Sequence, residues 1–253
     1  MRRVIEKLRA KRAAALQAAP AKVPPGLRIY AIGDIHGRDD LLARLLAMIA
    51  ADAAGWRGAL AHVFIGDYVD RGGQSAAVLD RLIALSKAPS WQPCFLMGNH
   101  EQAMLDFLAD APEAMAWLDY GGRETLASYG VEMPEGWGLA ALRQALRAAL
   151  PPAHLRFLKN LVYSHQAGDY FFCHAGVRPG IALAAQDLDD LLWIREPFLS
   201  SGADHGKVVV HGHTIADQPV VRANRIGIDT GAYMSGRLTA VVLEGTRQRF
   251  LST

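Results

Sequence analysis

Short apolar runs that alternate with helix-type patterns are the feature that most limits the fold of this chain. LRIYAIG precedes DDLLARLLAMIAADA, HVFIG precedes QSAAVLDRLIALSK, and PCFLMG precedes HEQAMLDFLAD. Strands and helices that alternate in this way are typical of right-handed βαβ units around a parallel sheet. The sequence therefore predicts an α/β fold.

The second half of the chain changes pattern twice. Residues 112–166 are mostly helical in pattern, and DYFFCHAG, KVVVHGHT, NRIGIDTG and GRLTAVVLEG then give a β-rich finish. The last two of these runs are expected to form a hairpin. We therefore predict one domain over residues 26–253, with a helical insertion at about 102–168, preceded by a basic arm and linker over residues 1–25.

Charge is unevenly distributed along the chain. Of 27 Lys and Arg and 25 Asp and Glu, seven and one lie in residues 1–24, which leaves 20 basic against 24 acidic residues beyond them. A basic arm could bind nucleic acid or anionic lipid, but the apolar face of this one is modest. We favour a solvated or loosely packed terminal helix, and expect neither a nucleic-acid partner nor stable membrane insertion.

Two further features bear on the compartment. No apolar stretch reaches the roughly 18 to 20 residues of a membrane helix, and the N-terminus lacks the pattern of a signal peptide. Cys94 and Cys173 each lie inside an apolar run, which predicts buried free thiols rather than a disulfide framework. The expected location is the cytoplasm.

Polar clusters follow the predicted strands at regular intervals. GDIHG, GDYVDRG and GNHE come first, and HAG and HGHT follow the helical segment. Asp34 and Asp67 are 33 positions apart, and Asp67 and Asn99 are 32 positions apart, close to the length of one βαβ unit. Because ligands bind at the carboxyl ends of parallel strands, these clusters are expected to converge in space.

The converging side chains have the character of a metal site. They combine carboxylate, amide and imidazole groups without a thiolate, which suits manganese, iron or zinc. Two ions that share one carboxylate would use six ligands, an arrangement suited to displacement at phosphorus. The candidate ligands are Asp34, His36, Asp67, Asn99, His174 and His213.

The five motifs, in this order and spacing, resemble the phosphoprotein phosphatase branch of the calcineurin-like metallophosphoesterases, especially its bacterial and phage members. The resemblance covers roughly residues 27–245. It implies a β-sandwich flanked by helices, and two divalent metal ions, with manganese first and iron or zinc as alternatives. Asp34, His36 and Asp67 would hold one metal, and Asp67, Asn99, His174 and His213 would hold the other.

The same resemblance assigns catalytic roles. His100 would protonate the leaving oxygen, and Asp70 would orient its imidazole. Arg71, Asn99 and Arg195 would contact the phosphate, Arg195 being the candidate for a second family arginine in LLWIREPF. A metal-bridging water, made hydroxide-like by the two cations, would attack phosphorus directly.

Several assignments stay open. The family pattern places the ligand of HGHT directly before Thr214 and so selects His213, while His211 is a strand residue or lies against the metal site. Trp117, Tyr120 and Arg123 either line the mouth of the site or belong to a packed, Gly-rich bend.

Serine/threonine phosphatase activity on a phosphorylated protein substrate is the function that the resemblance implies first. Hydrolysis of diadenosine tetraphosphate by a sister group is the alternative, together with a broad-specificity phosphoesterase. That group tends to lack the second aspartate of GDxxDRG and to end the third motif in NHD, so Asp70 and Glu101 favour the phosphatase. A non-catalytic phosphoprotein-binding module is the remaining hypothesis, and it would be expected to have lost a ligand or the general acid.

Overall fold

The computed structural model describes residues 20–89, 91, 93–111, 116–134 and 136–253. Most of the predicted basic arm, residues 1–19, lies outside the described residues. The domain bounds given above stay a prediction.

Two five-stranded sheets form the centre of the molecule. The strands are β1 Leu27–Ile32, β2 Ala59–Phe64, β3 Pro93–Phe95, β4 Ser164–Ala167, β5 Tyr170–Cys173, β6 Val208–His211, β7 Val220–Val221, β8 Arg225–Gly227, β9 Thr239–Glu244 and β10 Arg247–Ser252. Their orders in the two sheets are β10-β9-β1-β2-β3 and β4-β5-β6-β8-β7. The helices are α1 Asp39–Ala53, α2 Ser75–Ser86, α3 Asn99–Ala109, α4 Arg123–Ser128, α5 Leu139–Ala149, α6 Pro152–Lys159, α7 Leu188–Trp193 and α8 Ala232–Ser235, with a π-helical turn at Leu118–Gly122 and a 3₁₀ turn at Leu183–Ala185.

The first sheet begins with the predicted βαβ units. Strands β1, β2 and β3 pair in parallel, and α1 and α2 form the two crossovers. Strand β1 is buried on both faces, because Ile29 and Ala31 point to the second sheet while Tyr30 and Ile32 point to the helices. This period-two division places the parallel strands at the centre of the molecule.

An apolar layer joins the two sheets. It contains Val63 of β2 and Val241 of β9 on one side, and Tyr170, Phe172 and Val210 of β5 and β6 on the other. Two sheets that interdigitate inward-facing side chains form a sandwich. The α/β fold with central sheets flanked by helices is thus confirmed.

The hairpin expected from NRIGIDTG and GRLTAVVLEG is wrong. Strand β8 pairs with β6 and β7 in the second sheet, whereas β9 pairs antiparallel with β1 and β10 in the first. The four consecutive residues Ala240 to Leu243 of β9 are all buried, so both faces of this strand pack against apolar neighbours. The strand accordingly lies inside the first sheet, between β10 and β1. The true hairpin joins β9 to β10, whose polar sequence RQRFLS gave no strand pattern.

Two other sequence features have clear outcomes. Cys94 is half-buried and Cys173 is buried, and both are free thiols, as predicted. Within the described part of the chain, no helix has the length and apolar character needed to span a membrane.

Candidate metal centre and active site

The loops after β1 and β2 are joined at the carboxyl edge of the first sheet. The backbone N–H groups of Ile35 and His36 both donate to the carbonyl of Asp67, at 3.0 and 2.8 Å, and Gly37 donates to the carbonyl of Tyr68 at 2.9 Å. The GDIHG and GDYVDRG motifs are therefore held together by their own backbones, and their side chains face a common space.

Backbone strain is concentrated in these loops. Among the described residues other than glycine, the ones with positive φ are His36, Asp67, Asp70, Arg71, His213 and Asp110. Five of these six belong to the predicted site. Non-glycine residues hold such conformations only where the surrounding structure fixes them, and they cluster at functional sites.

One group of ligand atoms surrounds the amide oxygen of Asn99. His174 Nε2 and His213 Nδ1 lie 2.8 and 2.9 Å from Asn99 Oδ1, and His174 Nε2 lies 3.4 Å from Asp67 Oδ1. Asp67, His174 and His213 can each direct one donor atom to a common point. The structure thus brings together the four residues expected to hold the second metal.

A second group shares Asp67 but differs from the expected set. His36, Asp67 and His100 have ligand atoms that converge, with His36 Nε2 3.3 Å from Asp67 Oδ2. Asp34 belongs to neither three-residue group. Its Oδ2 accepts a hydrogen bond from the backbone of His213 at 2.9 Å, while its buried Oδ1 has no partner among the described residues.

The protonation states of these groups fit divalent cations. Burial lowers the pKa of both His36 and His213 to about 3, so each imidazole is neutral and offers a lone pair. Burial alone would raise the pKa of Asp67, but His174, His100 and His36 together outweigh it and lower that pKa. Burial, Asp229 and Asp67 raise the pKa of Asp34, a cost that a cation beside its unpartnered oxygen would relieve.

A hydrogen-bonded pair, His100 and Asp70, lies beside the metal ligands. His100 Nδ1 donates to Asp70 Oδ2 at 2.7 Å, which leaves Nε2 facing the site, 3.9 Å from Asp67 Oδ2. Burial would lower the pKa of His100, but Asp67 and the bond to Asp70 outweigh it and raise that pKa. His100 Nε2 can therefore carry a proton towards a bound group.

Residues that the motifs did not indicate hold Asp70 in place. Trp117 Nε1 donates to Asp70 Oδ2 at 2.8 Å, and Thr125 Oγ1 donates to Asp70 Oδ1 at 2.6 Å. The backbone N–H of Asp70 lies 2.9 Å from Thr125 Oγ1 and 3.1 Å from Ser75 Oγ. The helical insertion thus supplies two side chains to the pair, a role that no sequence pattern marked.

Arg71 bridges the two histidines. Its Nη1 and Nη2 each lie 3.2 Å from a ring nitrogen, His36 Nε2 and His100 Nε2 respectively, and its guanidinium lies 4.8 Å from the ring centre of Tyr233. Its backbone N–H donates to the carbonyl of Gly121 at 3.2 Å. A guanidinium can only donate, so in this arrangement the two ring nitrogens accept from the Arg71 fork, and protonation of His100 Nε2 would release Nη2 for another acceptor.

Arg195 and His211, the two remaining candidates, lie outside the groups of converging ligand atoms. Arg195 is exposed, and its charge acts on His174 and His213. His211 is buried on β6, where Nδ1 lies 3.0 Å from the carbonyl of Gly212 and Nε2 has no partner among the described residues. It belongs to neither converging ligand group, and its ring packs edge-on against Phe198.

The carboxylate of Glu101 accepts hydrogen bonds from the backbone of the loop that contains Asp67. Its Oε1 accepts hydrogen bonds from the backbones of Tyr68 and Val69 at 2.7 and 3.1 Å, and its Oε2 accepts from Asp67 and Gly98 at 2.8 and 3.1 Å. Gly98 precedes α3, and Glu101 is the third residue of that first turn. The local sequence signal for the contact to Gly98 is a Glu three residues after the N-cap glycine, whose carboxylate can accept from the N-cap N–H.

Glu101→Gln is expected to lower the free energy of unfolding by about 2 to 6 kcal/mol. The amide nitrogen cannot accept a hydrogen bond, so two buried N–H groups lose their acceptor, at roughly 1 to 3 kcal/mol each. Urea denaturation followed by circular dichroism measures this change. The control is Glu132→Gln, on an exposed residue, which should change stability by less than about 0.5 kcal/mol. Equal stability of the two variants would contradict the assignment.

Comparison with known proteins places this site in a family. The profile described as calcineurin-like phosphoesterase matches residues 27–230 of the chain. The chain belongs to this family. The matched range contains every candidate ligand, the pair His100 and Asp70, and both candidate phosphate-binding arginines.

Two kinds of activity appear in the names of relatives of this chain. A symmetrical bis(5'-nucleosyl)-tetraphosphatase of an Acidovorax species is 33% identical over 157 residues, which cover 60% of this chain and 45% of that protein. The chain therefore spans less than half the length of that relative. Serine/threonine-protein phosphatase 2 of Escherichia coli is 28% identical over 228 residues, which cover 83% of this chain and 90% of that protein.

Among solved structures, a mutant of a cold-active protein tyrosine phosphatase has a TM-score of 0.62 to this chain. The two are 20% identical, and the match covers 90% of this chain and 80% of that one. A likeness at this identity shows the shared fold alone.

Proposed function

We propose that this phosphoesterase is a dinuclear-metal phosphomonoesterase that removes phosphate from phosphoserine and phosphothreonine side chains of proteins. The observation that carries the proposal is the bond of 2.7 Å between His100 Nδ1 and Asp70 Oδ2. This bond positions His100 as an acid. An alkyl phosphate needs such an acid, because its alkoxide is a poor leaving group until it is protonated. The cytoplasmic location expected from the sequence stays a prediction.

Two divalent cations, with manganese as the first candidate, are proposed to be held by Asp34, His36 and Asp67 and by Asp67, Asn99, His174 and His213. Bound there, they would neutralise phosphate charge and supply an activated water. This assignment is supported by the buried Asp34 Oδ1, which has no partner in the part of the chain that the structure describes, and by the neutral imidazoles of His36 and His213.

The residues of the chain have separate tasks in the proposed reaction. Arg71 binds two phosphate oxygens through its fork, with Arg195 and the Asn99 side chain as further contacts. His100 holds a proton on Nε2 and transfers it to the leaving oxygen. Asp70 keeps the ring in place and favours its protonated form, because its carboxylate accepts the Nδ1 proton at 2.7 Å.

Hydrolysis of dinucleoside tetraphosphates is the second candidate, because the Acidovorax relative that is 33% identical bears that name. The two candidates are separated by turnover of a phosphoserine peptide and of diadenosine tetraphosphate, each measured with manganese at the same enzyme concentration. The proposal expects a higher kcat/KM for the peptide. A higher value for diadenosine tetraphosphate would overturn it in favour of the second candidate.

A further inference from the structure

A pocket of about 490 Å³ opens beside Arg71 and is not part of the metal centre. Its walls come from the π-helical turn and the start of α4, together with Tyr233 from the other side of the site. A pocket of this size falls in the range that takes a small organic group. The lining residues that bear on its chemistry are Arg71, Asp119, Tyr120, Arg123, Glu124 and Tyr233.

Arg71 lies between the candidate metal centre and the pocket and contributes to both. One nitrogen of the guanidinium lies 3.2 Å from His100 Nε2, the atom that would protonate the leaving oxygen. The same side chain forms the inner wall of the pocket. A leaving group whose oxygen lies at His100 and whose phosphate is held by Arg71 has this pocket directly beside it.

The rings of Tyr120 and Tyr233, which both line the pocket, differ in whether a face is free to contact a bound group. Tyr233 is occupied, because its ring packs against the Arg71 guanidinium and edge-on against the His36 ring, with centroids 5.5 Å apart. Tyr120 is 57% exposed, and no aromatic or cation contact to its ring is formed within the described part of the chain. Its face is available to stack on a planar group in the pocket.

The charges of the outer wall disfavour a second phosphate. Arg123 lies 3.6 Å from Asp119, so these two charges offset each other. Glu124, also exposed, adds a further negative charge. Once Arg71 is engaged by the first phosphate, the remaining walls carry a net negative charge and repel a polyphosphate chain.

We infer that this pocket is the leaving-group subsite of the enzyme, and that Tyr120 is its specificity-determining residue, selecting uncharged aromatic leaving groups such as the side chain of a phosphotyrosine residue. The inference rests on the proposed phosphomonoesterase activity and extends its substrates from alkyl to aryl phosphates. Tyr120 acts on binding of the leaving group, so its effect should appear in KM more than in kcat.

The test compares two substrates across four forms of the manganese-loaded 253-residue chain. The substrates are a phosphotyrosine peptide and glycerol 2-phosphate, which has no ring. The forms are wild type, Tyr120→Ala, Tyr120→Phe and, as a control, Trp137→Ala. Trp137 is also exposed, at 47%, but lines a separate pocket with Gly130 and Ala145.

Tyr120→Ala should raise KM for the phosphotyrosine peptide by about 2- to 10-fold, the range of one aromatic contact. Its KM and kcat for glycerol 2-phosphate should stay within about 2-fold of wild type, which also shows that the variant folds. Tyr120→Phe keeps the ring and should keep the wild-type KM, as should Trp137→Ala.

An equal KM change for both substrates, or no change for the peptide, would overturn the inference while leaving the proposed activity intact. Absence of turnover of every phosphomonoester by the wild type would overturn the proposed activity itself. The two failures are therefore distinguishable.

Discussion

His100→Asn is expected to lower kcat for a phosphoserine peptide by about 10²- to 10⁴-fold, the usual contribution of a positioned acid or base. The alkoxide of serine leaves slowly unless it is protonated, and His100 Nε2 is the atom in place to do so. With p-nitrophenyl phosphate the loss should be much smaller, because p-nitrophenolate leaves without a proton. Steady-state kinetics on the two substrates measures the difference.

Thr125→Val should produce a weaker form of the same pattern. Loss of the bond of 2.6 Å to Asp70 Oδ1 leaves the carboxylate less firmly held, and a loss of roughly 5- to 30-fold on the peptide is expected. The control is His165→Asn, at a partly exposed histidine on β4, which should leave both rates unchanged. Equal losses on the two substrates would count against acid catalysis by His100 and in favour of a merely structural effect.

Asp67→Asn is expected to reduce metal binding and turnover together. Asp67 is the residue that both groups of ligand atoms share, and the substitution removes its negative charge without changing its size. Loss of a neighbouring supporting contact alone costs about 10- to 100-fold in metal affinity, so removal of a shared carboxylate should cost at least about 100-fold. Metal content per chain after dialysis, measured by mass spectrometry, gives the first readout.

A second readout for Asp67→Asn does not depend on activity. Manganese should raise the melting temperature of the wild type, since a ligand that binds only the folded state stabilises it, and this shift should vanish in the variant. Asp204→Asn, at an exposed turn residue that bonds its own loop, is the control and should keep both the metal and the shift. Wild-type metal content in Asp67→Asn would contradict its role as the shared ligand.

Local patterns in the sequence accounted for the centre of the fold and for the convergence of the motifs. The βαβ alternation over residues 27–110 placed Asp34, Asp67 and Asn99 at one sheet edge, because the carboxyl ends of adjacent parallel strands meet there. Strand β10 gave no such pattern, since its polar residues RQRFLS alternate too weakly. The wrong hairpin between β8 and β9 followed directly from missing it.

The contacts around the acid show where sequence reasoning ends. His100 and Asp70 were paired through the family resemblance, but Trp117 and Thr125 lie in an insertion, 47 and 55 positions from Asp70. A hydrogen bond between such distant residues depends on how the insertion packs, which no local periodicity encodes. Glu101 is intermediate, because its link to Gly98 is local while its bonds to Tyr68 and Val69 span more than 30 positions.

The sequence by itself determined the α/β class, the order of the motifs and the kinds of ligand, because strand period, helix period and side-chain chemistry are local properties. Only the tertiary structure decided that β8 and β9 lie in different sheets and which side chains hold Asp70. It also decided that Tyr120 faces a pocket at Arg71. Each of these depends on packing between residues far apart in the chain, where burial and long-range hydrogen bonds outweigh local preference.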